Sequence, residues 1–137
     1  MDVSLLDAAG SAIDFALIIL GHAGVELYFG LQGRDRLTDV ANNSGRDSLL
    51  IEFNDNVPRP GLTKSLRTRA VYSKNGRLTV FSGEGHGELY DSGFDPSHLS
   101  NRWEDADNVD IKVVPLEELS VLMDEAMDQS PRSFYLA

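Results

Sequence analysis

The chain contains no cysteine. Disulfides, thiol nucleophiles and thiolate metal sites are therefore excluded, and the absence fits a reducing compartment. Long hydrophobic runs are also missing: the longest, Phe15 to Leu20, is six residues, against about 20 needed to cross a bilayer. No basic stretch precedes the first apolar residues, so a soluble, cytoplasmic protein is expected. Positive charge is scarce, with 12 Lys and Arg against 22 Asp and Glu and a net charge of −10. Nucleic acid and anionic membrane both require cationic surface and are not expected partners.

Catalytic and ligand-binding signatures are equally thin. The three histidines, His22, His86 and His98, are scattered, without the i, i+4 spacing of a helical metal site. Gly83, Gly85 and Gly87 do not fall in the GxGxxG spacing, and no lysine follows them to hold phosphate. Asp105, Asp107 and Asp110 fail the calcium-loop pattern, because Val109 sits at a ligand position and Leu116 stands where a bidentate Glu belongs. No nucleophile-elbow motif marks a serine. Neither a cofactor nor a metal is expected, and no catalytic residue is assigned.

What is present suffices for one domain spanning 1–137, with 42% apolar and 25% charged residues, and such a length buries a core unaided. The chain is organised around Arg67 to Ser82, two extended segments joined at Asn75-Gly76. That dipeptide predicts a type I′ hairpin with Lys74 opposite Arg77, Val71 facing Val80 and Tyr72 facing Thr79. Val71, Ser73, Leu78 and Val80 then share one face, and Ala70, Tyr72, Thr79 and Phe81 the other. The hairpin is also the basic part of the molecule: residues 56–83 carry +6, between −6 over residues 1–55 and −11 over residues 84–128. Its cations are expected either to pair with acidic neighbours in the sheet or to remain free.

In chain order, Asp2 to Ala12 reads as a short helix, and the apolar run Asp14 to Leu20 as a buried strand. Val25 to Leu31 alternates as a second strand, joined to the first by a glycine-rich turn. Residues 32–47 read as a loop in which Leu37, Val40 and Ala41 give one helical turn. Ser48 to Phe53 is a strand, and Pro58 and Pro60 mark a connection after it. Beyond the hairpin, Leu89-Tyr90 is placed in a strand, Asp95-Pro96-Ser97 opens a short helix through Trp103, and Val109 to Val114 is a strand. Pro115 opens a helix with an apolar stripe of Leu116, Leu119, Leu122, Met123, Ala126 and Met127, and Ser133 to Ala137 forms a last strand. The expected fold class is α+β: a largely antiparallel sheet of about five to six strands, with the C-terminal helix and a short N-terminal helix packed on it.

One segment carries candidate binding residues: Glu84, Glu88, Tyr90, Asp91, Phe94, Asp95, Trp103, Glu104, Asp105 and Asp107. Aromatics among carboxylates supply desolvated anchors and a field that steers a basic partner. The alternative places Trp103 and Phe94 in the core as lids, with the acids merely solvated. His86, between Glu84 and Glu88, would make an acid–base or metal site if its loop folded over.

Val113-Val114-Pro115-Leu116-Glu117-Glu118-Leu119, then Ala126, Pro131 and Ser133-Phe134-Tyr135, together with Tyr72-Ser73-Lys74-Asn75-Gly76 and the GEGHGE loop, resemble the small immunity proteins of bacterial polymorphic toxin systems. The resemblance implies a non-catalytic protein that binds a cognate toxin domain, basic and nucleic-acid-targeting, and occludes its active site through an acidic surface. A small hydrolase-type enzyme using His86 or His98, and a non-catalytic adaptor or structural subunit, are the other functions the residues allow. If the acidic segment is a docking surface, reversing Glu104, Asp105 and Asp107 to lysine slows association with the toxin and flattens its salt dependence. Unchanged association kinetics at low salt in stopped-flow measurements exclude that surface.

Overall fold

The computed structural model describes residues 10–26, 31–42, 44–58, 64–105 and 109–127. The elements run α1 (Asp14–His22), α2 (Arg36–Ala41), β1 (Ser48–Asn54), β2 (Arg67–Ser73), β3 (Gly76–Phe81), β4 (Gly87–Asp91) and α3 (Val109–Glu125). The fold is α+β, with a short N-terminal helix, an antiparallel sheet in the order β1-β2-β3-β4 and a C-terminal helix. Two compact units divide the chain, one spanning Asp47–Met123 and the other Met1–Arg46 with Asp124–Ala137.

In the Asp47–Met123 unit, register decides the core. Leu50 pairs with Val71, Val71 with Leu78, and Leu78 with Leu89, so one aliphatic row crosses all four strands. Leu119 of α3 closes over Val71, Leu78 and Leu89, with Leu50, Val80, Trp103 and Leu122 packed around them. The strand cations pair within the sheet: Arg69 meets Glu52 at 2.7 Å and Arg77 meets Glu88 at 2.9 Å. The internal-pairing explanation of the basic hairpin holds for these two arginines.

The hairpin forms and its two faces are those expected, but its register differs. Ser73 pairs with Gly76, Val71 with Leu78 and Tyr72 with Arg77, so Lys74-Asn75 make the turn. Asn75 does not take the positive φ that a type I′ turn requires, since His98 is the one non-glycine with positive φ among the described residues. Gly76 serves another purpose. It lies at φ 155° against β4, where a Cβ would collide with the Tyr90 carbonyl oxygen. Moving the turn by one residue changes each partner by two positions and so preserves the faces.

Four strands are present among the described residues rather than five to six, and two expected strands are helices. Asp14 to Leu20 lies in α1; an unbroken apolar run has no period with which to tell strand from helix. The glycines after it form a helix cap, not a hairpin turn. Gly24 sits at φ 68°, its N–H donates to the Gly21 carbonyl, and the Val25 N–H donates to Leu20, the two bonds of a Schellman motif. Val109 to Val114 is the first part of α3, which begins six residues before Pro115 and keeps that proline in its interior. Burial overrides β-propensity here: Lys112, Pro115, Leu119 and Leu122 recur at three- and four-residue steps and face inward, while Leu116, Met123 and Met127 are exposed.

The helix expected from Asp95 to Trp103 is a series of turns. Asp95 does not cap a helix. Its carboxylate accepts from the N–H groups of Leu99 and Ser100, and His98 at φ 52° breaks any helical path. Of the expected N-terminal helix, residues 1–9 lie outside the described residues and Ser11-Ala12 lead into α1. The strand at Val25 to Leu31 lies partly outside the described residues, and that at Ser133 to Ala137 wholly so.

The other unit is held by Asp14, only 2% exposed. Its carboxylate accepts from the N–H of Ser11 and of Arg34, both at 2.9 Å, and pairs with Arg46 at 2.5 Å. Burial pushes its pKa up, but those two N–H groups and Arg46 outweigh this and hold it below the usual carboxylate value. A depressed folded pKa means the stabilisation is complete above the unfolded value, about 3.9, and is lost as pH falls through the lower folded value. Asp14→Asn leaves Arg46 without its partner charge and is expected to cost about 3 kcal/mol near neutral pH. Urea unfolding should show the gap to the parent narrowing below about pH 4; a pH-independent gap contradicts this role.

Candidate functional site

On the face of the sheet away from α3, Leu49, Tyr72, Arg77 and Tyr90 form a second cross-strand row. The Arg77 guanidinium lies 4.8 Å from the Tyr90 ring centre while Glu88 holds one of its nitrogens. The loop after β4 returns across this row. His98 stacks on Tyr90 at 5.3 Å with 15° between planes, and its Nε2 is 3.0 Å from Ser92 Oγ.

Most of the carboxylates expected to face a partner have work inside this loop. Asp91 accepts from the N–H groups of Gly93 and Phe94 and lies 3.6 Å from Arg102. Arg102 also contacts Asp105 at 3.3 Å and sits over the Phe94 ring. Glu88 belongs to Arg77, and Asp95 braces Leu99 and Ser100. Glu104 is exposed, and Asp107 lies outside the described residues. The two aromatics divide. Trp103 packs on the core and against Gly87, where a Cβ would strike its ring, and Lys112 lies over it and donates to its carbonyl. Phe94 is 75% exposed, as is Leu99 at 84% in the same loop.

Glu84, His86 and Glu88 do not converge. His86 is exposed, with Nδ1 3.1 Å from the Glu84 carbonyl and its ring against Phe81, while Glu88 points to Arg77. Among the described residues no group of three His, Asp or Glu is placed to hold a metal.

A concave feature lies elsewhere among the described residues of this unit. A cleft of about 400 Å³ opens where the hairpin tip and the end of β4 meet α3. Lys74 and Arg77 line it from the hairpin; Ile111, Val114, Pro115 and Glu118 line it from α3. Sequence reading missed it, because no local signal joins a hairpin tip to a helix some 35 residues further on. Arg77 and Arg102 were legible only as charges, since their partners are set by register and loop path.

No protein-family model matches the chain, and no curated protein does. Solved structures share its fold. BT4656, determined with its substrate D-glucosamine-2-N,6-O-disulfate, matches over 93% of this chain at 21% identity and TM-score 0.66. A protein of Bacteroides thetaiotaomicron VPI-5482 provisionally assigned as a sulfatase matches over 82% at 19% identity and TM-score 0.59. BT1596, a 2-O GAG sulfatase, matches over 82% at 21% identity and TM-score 0.58. The chain spans only about a quarter of their length, 27% of the first and 23% of the other two.

Proposed function

We propose that this chain is the sheet-and-helix portion of a sulfatase-type protein, working together with a larger portion that carries the chemistry. The observation behind this reading is the fold likeness, which takes in 93% of this chain but 27% of BT4656. The sheet supports it. Only one of its faces is covered by α3, and on the other Ile51, Phe53 and Tyr72 remain between 42% and 48% exposed, an apolar surface suited to a further layer of protein. In this reading the longer protein acts on sulfate esters of saccharides, and the present chain alone does not turn them over.

A second reading keeps the immunity-type inhibitor of a cognate toxin domain. The exposure of Phe94 and Leu99, in the loop that also carries the exposed Glu104, favours it, because exposed apolar side chains among charged ones make docking anchors.

The flanking genetic sequence separates the two. The first reading expects, in the same or an adjoining frame, a coding segment about two and a half times this chain's length, as the 93% and 27% shares imply. Co-expressed with the chain, that segment should hydrolyse D-glucosamine-2-N,6-O-disulfate, while the chain alone releases no sulfate. A toxin reading frame in its place, or turnover by the isolated chain, overturns the first reading.

A further inference from the structure

One side of α3 borders the cleft at the hairpin tip. Ile111, Val114, Glu118 and Val121 follow one another at three- and four-residue steps and so share that side. The first three line the cleft, and Val121 extends the row past it. The three apolar members are between 42% and 66% exposed, although Leu119 and Leu122 of the same helix pack on the sheet. A helix with a second apolar side has more to bury than one sheet face covers. Charges stand on both banks. Glu118 lies within the row and Lys74 lines the cleft from the hairpin tip, and neither side chain has a hydrogen-bond or ion-pair partner among the described residues.

These features select the occupant. A small apolar ligand in the cleft would leave both charges unmatched and Val121 uncovered. An extended strand presents side chains at a period of two, out of step with the row. A second helix presents them at the same three- and four-residue steps. Its apolar stripe covers Ile111, Val114 and Val121 and sends a side chain into the cleft of about 400 Å³. A Lys or Arg on one border of that stripe meets Glu118, and an Asp or Glu on the other meets Lys74. A second copy of this chain does not offer such a helix. Its α1 has no Lys or Arg, its α2 is six residues long, and α3 laid on α3 sets acids against acids. The apolar residues suited to a further layer of protein, Ile51, Phe53 and Tyr72, lie on the opposite face of the sheet.

We propose that this side of α3, with the adjoining cleft, docks an amphipathic helix of a separate protein. That helix carries basic residues along one border of its apolar stripe and acidic residues along the other. The site goes beyond the sulfatase-type reading and does not depend on it, because it requires no reaction.

Amide NMR titration of the full chain tests it. The probe is a designed helical peptide with leucines at three- and four-residue steps, lysines along one border of that stripe and glutamates along the other. It should give saturable shifts at Lys74, Ile111, Val114, Glu118 and Val121, and a peptide of the same composition in scrambled order should give none. Glu118→Lys should weaken binding about tenfold. Adding Lys74→Glu should restore it, because reversing both charges lets the peptide lie in the opposite direction. Val114→Asp, at the most exposed position of the row, should abolish binding with thermal unfolding unchanged. The proposal is overturned if no saturable shift appears, if shifts gather at Ile51, Phe53 and Tyr72 instead, or if the double reversal fails to restore binding. A dimer in sedimentation that Val114→Asp dissolves makes a second copy the occupant. Loss of peptide binding on co-expression with the larger coding segment makes that segment the occupant, and either result also overturns the proposal. No sulfate release is measured, so its failure leaves the sulfatase-type reading standing and the two fail separately.

Discussion

The Asp47–Met123 unit depends on one contact: Leu119 closing on the cross-strand row that Val71, Leu78 and Leu89 share with Leu50. Leu78 is fully enclosed and Val71 nearly so, and burial of each such side chain contributes about 1.5–3 kcal/mol. The row exists only when all four strands keep their register, because a one-residue slip would carry a strand's aliphatic residues to the opposite face. Gly76 protects that register from the side. It allows β3 to run against Tyr90 of β4, and any side chain there would push the strands apart.

The acidic segment after β4 is bound to the sheet by its own charges. Arg77 and Arg102 act as fixed points, each with a carboxylate and an aromatic ring. Asp91 and Asp95 end turns by accepting N–H groups from the residues that follow, the usual alternative such side chains offer to a helix. Trp103 then returns to the core beneath Lys112. Excess negative charge in this region is thus partly the price of a long irregular path over the sheet.

The face of the sheet away from α3 is only partly covered by the loop after β4, which sets His98 on Tyr90. Ile51, Phe53 and Tyr72 stay partly exposed on that face, and the solved structures that share this fold are chains about three and a half times as long.

By itself the sequence determined the hairpin, its two faces, β1, β4 and the charge alternation along the chain, since each rests on a period of two or on turn residues a few positions apart. Local pattern was mute for Asp14 to Leu20, an apolar run with no period, and misleading for Val109 to Val114, where Val109, Ile111 and Val113 alternate with Asp110 and Lys112 as in a strand but lie in a helix. Only the tertiary structure decided those helices, the turn at Lys74-Asn75, the partners of Arg77 and Arg102, and the cleft between hairpin and α3. Their physical reason is shared. Each is chosen by contacts between residues far apart in the chain, whose energies no short window of sequence contains.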